Sequence, residues 1–113
     1  MEGFARIRQG EKLPMGVRTT ALSGTLIVQP TPTPTCTLYD AAGSPVDGRN
    51  QTVADGFDNG PLGSPRVWHN LDTLAPAPLE EGFYTLVFRF CATGSDGIPR
   101  TYVPALIVQV TEF

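Results

Sequence analysis

Apolar and polar residues alternate along much of this chain, and nowhere do apolar residues recur at helical spacing over more than a turn or two between caps. The clearest alternation runs from Gly82 to Ala92. Tyr84, Leu86, Phe88 and Phe90 fall on one face; Phe83, Val87 and Cys91 share the other with Thr85 and Arg89. One strongly apolar face and one mixed face predict a central strand of a sandwich. The loop Thr93–Gly97 reads as a hairpin connection to a last strand from about Pro99 to Val110, with Leu106, Val108 and Val110 on one face. Pro104 lies inside that strand and has no N–H to give a ladder, so the strand is expected at an edge or bulged there. Earlier strands are predicted at Gly16–Thr20, Gly24–Val28, Thr35–Asp40, Arg66–Asn70 and, more weakly, Gln51–Ala54. Asp40–Gly48 is a turn cluster, and Asp55–Pro65 reads as a long, exposed, mobile loop.

The 12 glycines and 11 prolines among 113 residues fit many short elements joined by tight turns. The fold class expected is therefore all-β, a single β-sandwich. The run "QPTPTPT" could be an interdomain spacer. However, the 28 residues before it are too few for a domain of their own, and Thr25–Val28 needs a sheet to join. An extended polyproline stretch could instead carry the chain over the sandwich edge from one sheet to the other. Residues 1–18 show little beyond Gly16–Thr20 that could offset the entropy of ordering. The expected division is a flexible N-terminal arm at 1–18 and a sandwich at 19–113.

Charge changes the picture at one end. The chain carries a formal net charge of −3, yet Arg6, Arg8, Lys12 and Arg18 stand against only Glu2 and Glu11 in residues 1–18. These four bases are the candidate partner-binding residues, reaching for an acidic neighbour. The acidic remainder offers nothing to a nucleic-acid backbone, and the apolar runs are too short to cross a bilayer, so neither partner is expected. No apolar segment follows Met1 in the manner of a secretory leader, which suggests a protein made and kept inside a cell. Two cysteines make neither a disulfide framework nor a metal site, and Cys36 and Cys91 are expected as free thiols, Cys36 the more buried. His69 is the one histidine, and the carboxylates at Asp55/Asp58 and Glu80/Glu81 lack a calcium-loop spacing. No catalytic set, cofactor or metal is expected, and no enzyme.

The structural residues singled out are Tyr84, Leu86 and Trp68. In immunoglobulin-like sandwiches a tyrosine near the start of the penultimate strand bonds its hydroxyl to the preceding corner, two residues before a buried position. Tyr84 after "LEEG", with Leu86 two residues on, fits that pattern, and Trp68 could pack the core from a facing strand. The strand and turn "TLYDAAGSPV", the strand "GFYTLVFRF" and the "DG" hairpin, with "RQGEKLP" upstream, resemble small immunoglobulin-like virion proteins of tailed bacteriophages over roughly residues 22–110. That resemblance implies a non-enzymatic virion structural protein of the capsid–neck region (decoration, cement or head-to-tail connection). Its partners would be capsid, portal or tail subunits, met in many symmetric copies, and it would be made in the host cytoplasm and located in the virion. The other reading kept open is a bacterial adhesion or carbohydrate-binding module, which a solvent-facing pair such as Tyr39 with Trp68 would support.

Overall fold

The structure is a computed structural model that describes residues 3–18, 27–28, 33–58, 66–93 and 97–112. It is an all-β sandwich, as the alternation predicts, and no helix occurs among the described residues. The strands are β1 (Gly3–Arg8), β2 (Lys12–Arg18), β3 (Ile27–Val28), β4 (Thr35–Tyr39), β5 (Thr52–Val53), β6 (Gly56–Asp58), β7 (Arg66–Asp72), β8 (Gly82–Thr93), β9 (Pro99–Tyr102) and β10 (Ala105–Thr111). The larger sheet runs β1-β10-β8-β4-β5, with β3 and β9 also paired to β8; the smaller runs β2-β7-β6.

β8 is central because it can bury one face and hydrogen-bond along both edges. Leu86, Phe88, Phe90 and Ala92 lie inside, while β10 and β9 take one edge and β4 and β3 the other. Its inward face meets Cys36 and Leu38 of β4 and Leu106, Val108 and Val110 of β10. Met15, Val67 and Leu71 close the core from the smaller sheet. Phe88 and Val67 are fully excluded from water.

Pro104 interrupts the last strand as its missing donor requires. Ala105 faces Val87 and Tyr102 faces Phe90, so the register is unbroken across the gap between β9 and β10. The Phe88 amide donates to the Pro104 carbonyl at 2.9 Å, a bond that proline cannot return.

Three expectations are corrected. Of the arm expected at 1–18, the described residues 3–18 are part of the sandwich: β1 pairs parallel with β10, and β2 pairs antiparallel with β7 along its whole length. Ile7 on β1 and Met15 on β2 are buried in the core, Ala5 and Val17 pack against it, and the ladders satisfy the backbone. The proline run does not cross between sheets, because its flanks β3 and β4 both pair with β8. Six residues separate Val28 from Thr35, while only two separate Ala92 from Arg89 opposite them; residues 29–32 of that run lie outside the described residues. Lastly, Gly56–Asp58 is a strand on β7 rather than open loop. Residues 59–65, and the strand predicted at 24–26, lie outside the described residues.

Candidate binding face

The two faces of the larger sheet follow from its registers. With Ile7, Val108, Leu86 and Leu38 pointing inward, their alternates point out: Phe4, Arg6 and Arg8 on β1; Ile107 and Gln109 on β10; Phe83, Thr85, Val87, Arg89 and Cys91 on β8. Thr35 and Tyr39 extend the face on β4, and Val103 flanks it beside Pro104. Phe4, Phe83 and Val103 are each more than half exposed, and Tyr39, Val87 and Ile107 are half-buried. In an antiparallel sheet with one face on the core, the other is ordinarily polar. Here the outer face is mixed, with Phe4, Phe83, Tyr39, Val87 and Ile107 set among arginines, threonines and Gln109.

Two recesses mark this face. One, of about 440 Å³, is lined by Thr35, Thr37, Val87, Arg89, Thr101 and Val103 among others, with Asn50 and Gln51 at one side. The second, of about 520 Å³, lies between Phe83, Thr85, Ile107 and the Asp40–Gly43 turn. Tyr39 lines both, so the two are neighbours on the face. Gln51 is held at a φ of 53°, a conformation uncommon outside glycine, by its amide donating to Thr37 Oγ1 at 2.9 Å. That bond fixes the rim of the first recess. Asp40 is engaged in its own turn, its Oδ1 accepting from the amides of Ala42 and Ser44.

The charges of the face are of one sign. Arg6, Arg8 and Arg89 occupy outward strand positions, and none of them is ion-paired to another of the described residues. Arg6 is laid on the sheet, its Nε donating to Gln109 Oε1 at 3.0 Å and its guanidinium 5.7 Å from the centre of the Phe4 ring. The four bases expected to act together are split by the fold. Arg6 and Arg8 belong to this face, whereas Lys12 and Arg18 are on β2, opposite Asp72 and Arg66 in the other sheet. Arg89 was missed, because it reaches the same surface only through the pairing of β8.

A second polar cleft, of about 330 Å³, opens at the sandwich edge between Lys12, Arg49, Thr52, Asp55, His69 and Asp72. His69 Nδ1 lies 2.9 Å from Asp55 Oδ2 without hydrogen-bond alignment, and that oxygen accepts from the Asn70 amide. Arg49 is buried, and its Nη2 donates to the carbonyls of Asp72, Ala75 and Ala77 at 2.7–3.0 Å. Burial lowers its pKa and the nearby Asp72 charge partly restores it. The cleft thus encloses a clamp: Arg49 holds the 73–77 loop, and Gly48 allows the Pro76 ring to approach where a Cβ would overlap it.

Tyr84 donates from its hydroxyl to the Glu80 carbonyl at 2.9 Å, in the corner before β8, and burial raises its pKa. Leu86 is buried. Trp68 does not reach the core. It lies on the outer face of the smaller sheet across Gly56, with the Arg66 guanidinium 5.7 Å from its centre. Tyr39 and Trp68 are therefore on different sheets and form no pair. Cys36 and Cys91 are free and occupy opposite faces of one sheet, Cys36 buried and Cys91 half-buried. Among the described residues, no group of three or more histidine, cysteine or acidic side chains is placed to hold a metal ion.

No family model matches this chain, and no curated protein matches it. A solved structure, the crystal structure of CopC from Methylosinus trichosporium OB3b, is similar at 18% identity and a TM-score of 0.47, over 98% of this chain and 88% of that one. The expectation of a bacteriophage virion structural protein is corrected by this outcome: none of these comparisons names a virion family.

Proposed function

We propose that the protein is a non-catalytic binding module that presents the outer face of its larger sheet to another protein. The observation that carries this reading is the exposure of Phe4, Phe83 and Val103 on a face whose remaining outward positions include Tyr39, Val87 and Ile107. Large apolar side chains grouped on the side of a sheet away from its core cost solubility, and their ordinary use is an interface. Aromatic residues and arginines are the side chains that interfaces concentrate.

Selection of binders from a displayed random-peptide library tests the reading. The variant Phe83→Ser/Val103→Ser alters only exposed side chains and is expected to melt within a few degrees of wild type. Selected peptides should bind wild type and lose the double variant. Peptides that bind both equally would place the binding surface elsewhere.

A further inference from the structure

We infer that the partner at this face is an extended peptide segment bearing acidic and apolar side chains. This inference rests on the reading of the outer face as the binding surface and names what that surface takes. The molecule is acidic overall, with a net charge of −3, yet the outward strand positions of the larger sheet carry Arg6, Arg8 and Arg89 and no carboxylate. Among the described residues, the acids that flank its strands are Asp40, bonded to its own turn, Glu11, which accepts the Arg8 amide, Glu81 directly before β8, and Glu112 after the end of β10. Arg6 and Arg8 alternate with inward residues along β1 at one edge of the face, and Arg89 lies on β8 beside the first recess. A guanidinium presents several donors in a fixed fork suited to a carboxylate.

Three occupants compete. A second copy docked face to face would oppose arginines with arginines, and like charges across an interface are unfavourable. An anionic lipid surface suits a protruding rim of apolar and basic groups. Here Thr35, Val87 and Arg89 line a recess that a flat bilayer does not enter. A narrow chain fits such a recess, and the second recess, on the same face and also lined by Tyr39, gives an extended chain two neighbouring places to rest. Apolar side chains of the segment would meet Val87, Val103 and Phe83, and its carboxylates the arginines on either side.

The test uses the full chain, labelled with ¹⁵N, and three short blocked peptides at low ionic strength. Each peptide spaces phenylalanines with glutamate, serine or lysine. The glutamate peptide is expected to bind about tenfold more tightly than the serine peptide, from a few exposed charge contacts. It should shift the amides of β8, β10 and β4, and lose its advantage in Arg6→Glu/Arg89→Glu. Arg6→Gln/Arg89→Gln serves as the milder variant should the reversal disturb folding, with melting curves alongside. Equal binding of all three peptides at this face would overturn the acidic partner and leave the binding face standing. Shifts confined to the Trp68 surface, or none, would overturn both. Binding to phosphatidylserine vesicles through the same arginines without any peptide response, or a dimer that Phe83→Ser dissociates, would overturn the peptide in favour of lipid or self-association.

Discussion

At the residue scale, the side chains that hold the fold are few and separable. Tyr84 bonds the Glu80 carbonyl from a partly exposed position, so Tyr84→Phe should cost about 0.5–1.5 kcal/mol in a urea titration. An unchanged midpoint would show the bond to be worth nothing. Arg49 is different in kind, because three carbonyls of one loop depend on one buried guanidinium nitrogen. Arg49→Met leaves them without that donor and should cost about 2–3 kcal/mol, read in the same titration. Cys36 makes a prediction about pH. Burial raises its thiol above 9.0, with a smaller lowering from Thr52 and a smaller raising from Asp55. The unfolded thiol therefore ionises first. The stabilising contribution is complete below pH 9 and is lost as pH rises toward the higher folded value. Cys36→Ala should show a shallower fall in stability across that alkaline window than wild type. In native protein a thiol reagent should label Cys91 and spare Cys36 until unfolding, as mass spectrometry would show.

At the element scale, the sequence and the structure agree where alternation involves several large apolar residues and differ where the inward residues are few or small. β8 was legible because Leu86, Phe88 and Phe90 repeat at a period of two between a glycine and a turn. The tyrosine and its corner were legible from spacing alone. β1 was not: Ala5 and Ile7 alternate with Arg6 and Arg8, and the cluster of bases outweighed the period in the reading of the segment. What orders it is a partner strand a hundred residues away, β10, which no local pattern announces. β2 holds a proline and a glycine, yet it pairs with β7 throughout. The consequence is testable. Ile7 is 1% exposed, so Ile7→Ala should cost about 2–5 kcal/mol, comparable with the loss expected at the larger core sites. A change below 0.5 kcal/mol, the range of about ±0.5 kcal/mol usual for surface substitutions, would mean that residues 1–18 are the loosely attached arm the sequence suggested.

At the scale of the whole molecule, the sandwich buries one face of each sheet and leaves exposed large apolar side chains, set among arginines, on the outer face of the larger sheet. No stretch of sequence shows that face. Phe4, Tyr39, Phe83 and Ile107 come from four strands, and only the registers β1–β10, β10–β8 and β8–β4 bring them together. Trp68, the most conspicuous aromatic residue in the sequence, is instead on the far side, laid over Gly56. The most direct measurement is amide hydrogen exchange with and without a display-selected peptide, which reports where the peptide rests irrespective of its sequence. The account predicts slowed exchange in Thr35–Tyr39, Phe83–Cys91 and Ala105–Gln109. Slowing confined to Lys12–Arg18 and Arg66–Asn70, on the Trp68 side, would contradict it.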